Sequence, residues 1–325
     1  MNPYGAVVAA RRRLYESGWL RSERIGVPVV SVGNLTWGGT GKTPLLAYLA
    51  ARFEASGRRV GIVARGYRRR SSGVVVVSDG SRLLASASEG GDEPYLLASR
   101  LPRAVVVVAE RRPEGAREAV RRGAEILLLD DAFQHLAIAR DADVVLVDAA
   151  DPWGGGLPPA GRARERPAAL SRADVVVVTR AVPGSASRAD AEVRRVTPAP
   201  IFHCRFRFAG WFSNGKEADR PVAPGLGFCA VGNPASFRET LAEAGANVAD
   251  FAAFRDHHDY SDADVRKLEK RAARAGASVL LTTEKDAVKI AGPTRIPLLA
   301  ARIEAEIFEP GLPERIGEII AGRPR

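Results

Sequence analysis

Val27-Pro-Val-Val-Ser-Val-Gly33-Asn-Leu-Thr36-Trp-Gly38-Gly39-Thr40-Gly41-Lys42-Thr43-Pro-Leu-Leu-Ala-Tyr-Leu49 is an apolar run, a glycine-rich turn and an apolar-periodic segment, in that order. The apolar run ends at Val32, and Gly41-Lys42-Thr43 opens the periodic part. Strand, loop and helix in this sequence are the context a phosphate-binding loop requires. Glycines let several backbone N–H groups converge on one anion, and the helix N-terminus adds partial positive charge. Gly38, Gly39, Thr40, Gly41, Lys42 and Thr43 are therefore the candidate nucleotide-binding residues. Lys42 would reach the β- and γ-phosphates, and the Thr43 hydroxyl would sit on Mg²⁺. The usual Gly-x-x-x-x-Gly-Lys-Ser/Thr pattern is broken at Thr36, where a first glycine is expected; Gly33, Gly38 and Gly39 supply the flexibility instead.

Working outward, short apolar runs at 60–64, 74–77, 104–109, 125–129, 144–147 and 175–178 alternate with helical segments, among them 92–100 and 113–122. Valine-rich runs of this kind predict an α/β fold: a P-loop NTPase-like, mostly parallel sheet covered by helices on both faces. Ligands in such sheets bind at the carboxyl ends of strands. Arg65 to Arg68, Glu110 to Arg112 and Asp130 to His135 fall at such ends. The rhythm breaks near Thr197-Pro198-Ala199-Pro200, after which 202–212 alternates aromatic and polar residues. Strands at 225–231 and 278–283, with helices at 234–244 and 261–275, predict a second, smaller α/β domain. The expected division is 1–24, 25–199 and 200–325.

The first segment carries Tyr4, Val7, Val8, Leu14, Tyr15, Trp19 and Leu20 at roughly helical spacing, interrupted by Arg11, Arg12 and Arg13. A basic amphipathic helix of this kind either lies in a membrane interface or packs on its own domain, and periodicity does not choose. The 325 residues carry a net charge of +10, which favours an anionic partner. Base-stacking aromatics do not accompany the charge, so no nucleic-acid partner is expected. Cys204 and Cys229 lack metal-ligand spacing and read as buried free thiols. No apolar run approaches the length of a membrane span.

Glu125-Ile-Leu-Leu-Leu-Asp130-Asp131 is an apolar strand ending in two carboxylates, the oxygen ligands that Mg²⁺ needs beside a phosphate loop. Taken on to Asp130-Asp131-Ala132-Phe133-Gln134-His135, and with Ser31 to Pro44, it resembles the tetraacyldisaccharide 4'-kinases of lipid A biosynthesis. Further matches are Ala64-Arg-Gly-Tyr67, Gly91-Asp92-Glu93-Pro94, Leu157-Pro-Pro-Ala-Gly161 with Arg164-Glu165, Asp256-His257-His258 and Thr283-Glu284-Lys285-Asp286-Ala287. Ala132 departs from the glycine usual in the family, whereas the irregularity at Thr36 is a family habit.

The resemblance implies transfer of the ATP γ-phosphoryl group to the 4'-hydroxyl of an acylated glucosamine disaccharide 1-phosphate, at the cytoplasmic face of the inner membrane. It implies that Lys42 and Thr43 hold the phosphates and that Thr43, Asp130, Asp131 and Glu165 hold Mg²⁺. Asp92 would accept the hydroxyl proton with His257 assisting, and Tyr67, Arg111 and Arg112 would hold the sugar or its 1-phosphate. From the residues alone, Asp92 reads as an N-cap, Arg111-Arg112 equally as a solvated face, and His257 and His258 are inseparable. Thr283 to Asp286 has no assigned role.

Two other function classes remain at this stage. One is a soluble P-loop kinase or ligase acting on a small metabolite. The other is a nucleotide switch that binds a protein partner. A switch of the GTPase type would carry a guanine-specifying Asn-Lys-x-Asp after a strand, where this chain has Val178-Thr179-Arg180-Ala181.

Overall fold

The computed structural model describes residues 2–185, 188–290 and 292–323. Its strands are β1 (Val29–Asn34), β2 (Val60–Ala64), β3 (Val75–Asp79), β4 (Val105–Val108), β5 (Ile126–Asp130), β6 (Ala142–Asp148), β7 (Val175–Thr179), β8 (Ile201–Ser213), β9 (Lys216–Ala218), β10 (Gly225–Cys229), β11 (Val248–Ala253), β12 (Val279–Thr283) and β13 (Leu298–Ile307). They form one sheet in the order β11-β10-β12-β13-β8-β7-β6-β1-β5-β2-β4-β3, with β9 paired to β8. From β7 to β4 every pairing is parallel, so the carboxyl ends of β1, β2, β4, β5, β6 and β7 share one edge.

Both faces of this part are buried, and successive residues divide between them as a pleated strand requires. Val30, Val32, Ile62 and Leu128 face the helix Lys42–Ala55, which buries Leu45, Leu46, Leu49 and Phe53 against them. Val29, Val63, Leu127 and Leu129 face the helix Arg112–Arg121 through Ala116 and Ala119. That double burial is why the sequence reads here as unbroken valine and leucine.

β8 begins at Ile201, just past the Pro-rich stretch 197–200. This long strand begins parallel to β7 and continues antiparallel to β13, carrying the sheet without interruption into the second lobe. The second lobe has its own apolar clusters, one around Trp211, Phe237 and Phe251 and one around Phe228, Leu268 and Leu280. The expected 200–325 unit is corrected at its end: the helix Leu312–Gly322 buries Leu312 and Ile316 in the first lobe's core. Its apolar face matches that core, and chain order alone had placed it elsewhere. Cys204 and Cys229 are free and buried.

The helix Pro3–Glu16 buries no residue. It is tethered at the mouth of the first lobe: Asn2 donates to the Pro158 carbonyl (2.7 Å), Tyr4 Oη to that of Arg164 (3.1 Å), and Arg11 to that of Gln134 (3.0 Å).

Candidate active site

A cleft of about 1220 Å³ runs between the carboxyl edge of the first lobe and the carboxyl ends of β10 and β12. Its first wall is the predicted loop: Gly38, Gly39, Thr40, Gly41, Lys42 and Thr43 all line it. Gly41 caps the helix in the left-handed region (φ 86°), with no side chain bonded to the first-turn N–H groups, which leaves those donors for an anion. A β-carbon at 41 would lie 1.8 Å from Cζ of Phe206, on the strand that joins the lobes. Asn34, buried at the end of β1, organises the loop. Its Nδ2 donates to Thr40 Oγ1 (2.9 Å), and its Oδ1 accepts from Lys42 Nζ (3.3 Å).

Asp130 and Asp131 stand at the end of β5 beside this loop. Burial works to raise Asp131, but Lys42 (3.5 Å) and Arg164 (2.7 Å) outweigh it and hold the carboxyl below its usual range. Among the described residues the Asp130 carboxylate has no ion-pair partner, and its Oδ1 is buried without a hydrogen bond. Burial, with the charges of Glu93 and Asp131, pushes it up to about 7. A carboxylate with an unpartnered buried oxygen, beside a phosphate loop and the Thr43 hydroxyl, offers the hard oxygen donors a Mg²⁺ ion takes.

The opposite wall supplies His257, in the left-handed region at φ 57°. Its Nδ1 lies 3.0 Å from Asp92 Oδ2, and its ring meets that of Tyr67 edge-on at 5.3 Å. Asp92 opens the helix Asp92–Arg100, and its Oδ1 accepts from the Glu93 N–H (2.9 Å). Burial works to raise Asp92, but the hydrogen bond from His257 and the charge of Lys285 outweigh it and hold it low, as a carboxylate. His258 turns away, stacking on Phe254 and contacting Asp264 (3.3 Å). Geometry thus separates two histidines that composition could not.

Tyr67 and Arg112 also line the cleft. Arg112 is buried and donates to the Asp130 carbonyl (3.1 Å), and burial lowers its pKa. Two expected residues are not brought in. Arg111 precedes the helix Arg112–Arg121 with its side chain turned outward, 75% exposed and paired with Glu114 (3.1 Å). Glu165 is buried, but Arg172 takes both of its oxygens at 2.8 Å and it does not line the cleft. Sequence reasoning missed Asn34, Lys285 and Arg180, which donates to the Gly39 carbonyl (2.7 Å). Lys285 follows the end of β12, and the strand-end rule applied to the second lobe would have found it.

The tetraacyldisaccharide-1-P 4'-kinase family model matches residues 2–321. The chain belongs to that family. Tetraacyldisaccharide 4'-kinase of Anaeromyxobacter sp. is 44% identical over 318 residues, covering 94% of this chain and 85% of that one. The same enzyme of Chlorobaculum parvum is 39% identical, covering 92% and 85%. The crystal structure of LpxK from Aquifex aeolicus in complex with ATP superposes with a TM-score of 0.79 at 32% identity, over 98% of this chain and 96% of that one. The activity that goes with membership is ATP- and Mg²⁺-dependent phosphorylation of the tetraacylated disaccharide in lipid A biosynthesis. No helix among the described residues is long and apolar enough to cross a membrane.

Proposed function

We propose that the two walls of the cleft divide the reaction between them: residues 38–43 grip the ATP phosphates, and Asp92 readies the sugar hydroxyl. The contact between Asp92 of the first lobe and His257 of the second, at 3.0 Å, carries this reading. Phosphoryl transfer passes through a loose transition state, so the protein mainly positions groups and neutralises charge. Thr43, Asp130 and Asp131 would hold Mg²⁺, which neutralises phosphate charge when bound. Glu165 would join them only by giving up Arg172. Asp92 accepts the hydroxyl proton as the acceptor oxygen bonds to phosphorus. Tyr67 and Arg112, with a guanidinium suited to paired phosphate oxygens, hold the acceptor. In this reading 25–199 is the kinase core, and the lobe beyond β8 brings His257 to it.

The helix Pro3–Glu16 is the membrane-facing element in this reading. Val7 and Trp19 are 68% and 83% exposed, while Tyr4 and Arg11 tie the helix to the cleft mouth. Exposed apolar groups beside arginines suit an interface of acyl chains and lipid phosphates. An acceptor whose chains stay in the bilayer would then meet the cleft at the surface.

Transfer of label from γ-labelled ATP to the disaccharide 1-phosphate in detergent micelles tests the activity, with a 4'-deoxy acceptor as control. Label on the normal acceptor alone is the expected result. Equal labelling of the deoxy acceptor, or of a small unacylated sugar, would overturn it.

A further inference from the structure

Lys285 lies in the single helical turn Glu284–Ala287 that follows β12, with its side chain 19% exposed. Its Nζ is 2.7 Å from Glu93 Oε1 and 3.1 Å from His257 Nε2. An ammonium has protons to give and no lone pair to accept with. The contact with His257 is therefore Nζ–H donating to Nε2. With Nε2 an acceptor, the neutral ring carries its proton on Nδ1, the nitrogen that faces Asp92 Oδ2.

The two side chains hang from one point. Asp286 Oδ2 accepts from the Ala230 N–H (2.9 Å) and from Thr283 Oγ1 (2.8 Å), which fixes the turn that carries Lys285. The Ala230 carbonyl accepts the His257 N–H (3.1 Å). A left-handed non-glycine backbone at His257 persists because its surroundings over-determine it.

We propose that Lys285 is a positioning residue for phosphoryl transfer, fixing His257 as the Nδ1–H tautomer so that the ring donates to Asp92. The inference rests on the reading of Asp92 as the base. As the acceptor oxygen bonds to phosphorus and the bond from phosphorus to the ADP oxygen breaks, the acceptor O–H bond breaks and its proton ends on Asp92. His257 does not relay it, because its one open nitrogen is taken by Lys285. The groups facing this cluster are Asp92 and Glu93 from the helix, Tyr67 and Arg68 after β2, Asp256 beside His257, and Lys289 one turn on. Burial works against the Lys285 ammonium, but Glu93 and Asp92 outweigh it and raise its pKa.

Nitrogen-15 NMR of the histidines, with His257 assigned by its loss in His257→Gln, reads the tautomer without needing activity. The wild-type chain should show an unprotonated Nε2 and a protonated Nδ1 at His257. Lys285→Met should shift the ring toward Nε2–H and lower kcat by about tenfold to a hundredfold, the range for losing a group that orients another. KM for ATP should hold within about twofold, and the acid limb of kcat should move to higher pH, because Asp92 loses a neighbouring cation. Lys285→Arg should recover most of kcat. An Nε2–H tautomer in the wild-type chain would overturn the proposal, whether or not Lys285→Met folds. So would a folded Lys285→Met with unchanged kcat and pH limb, a loss confined to KM for ATP, or no recovery in Lys285→Arg. Loss of the kinase reading itself would show as no transfer in the wild-type chain, leaving the tautomer result standing.

Discussion

On one wall of the cleft, Lys42 and Thr43 open the helix that follows β1, and Asp130 and Asp131 stand at the end of β5, the two strands being adjacent and in register at Val32 and Asp130. On the other, Asp92, His257 and Lys285 come from three places in the chain and two lobes, 165 residues separating the first two. The first wall is made largely of backbone: a turn, a helix end and two strand ends. The second is made of side chains that must find one another. A phosphate grip can therefore be written as a local motif, whereas the acceptor-readying group depends on how the lobes meet.

The largest effect expected from breaking the first wall alone is that of Lys42→Ala. It should lower kcat/KM by about a thousandfold, as for removal of a preorganised charge-stabilising donor. Removing Mg²⁺ with EDTA should abolish turnover of the wild-type chain in the same assay. Near-normal kcat/KM in Lys42→Ala would take the loop out of the chemistry.

A smaller effect sharpens the comparison through pH. His135, beside the first wall, is lowered to about 4 by burial and by the charges of Arg112 and Arg11. The unfolded chain binds a proton near pH 6.5 that the folded chain refuses, so stability is lost as pH falls from about 6.5 toward 4. His135→Gln should flatten that part of the stability curve by at most about 3 kcal/mol, measured by urea unfolding at several pH values. An unchanged slope would show that His135 titrates normally.

The helix Pro3–Glu16, proposed to face the membrane, belongs to neither wall. Charge reversal at Arg11, Arg12 and Arg13 should release the chain from anionic liposomes in flotation, and more so at higher salt. Undiminished flotation would refute the surface role. The smallest effect should be that of Arg111→Ala, because its side chain is turned to solvent: stability within about 0.5 kcal/mol and transfer activity within about twofold. A large loss of acceptor binding would restore Arg111 to the site.

The first wall was legible because its information is contiguous. Apolar runs gave the parallel strands, and the strand-end rule pointed at Gly38 to Thr43 and at Asp130 and Asp131. The second wall was legible only through the family resemblance, since an Asp before Glu-Pro carries the same local pattern as an N-cap. Lys285 was left without a role because Lys-Asp pairs are common and the strand-end rule was applied to the first lobe alone. Arg111 and Glu165 lie outside the cleft for a related reason: sequence position does not say which way a side chain at a helix start points, nor that Arg172 waits seven residues on for Glu165. The segment 312–322 is grouped with 200–325 by chain order alone, and its apolar face meets the first lobe's core instead.

The division of labour is tested most directly by measuring ATP affinity and single-turnover transfer together in Asp92→Ala. The account predicts a drop in the transfer rate of about a hundredfold or more with ATP affinity within about twofold of wild type, since general-base catalysis contributes on that order. Weakened ATP binding with a normal transfer rate at saturation would contradict it.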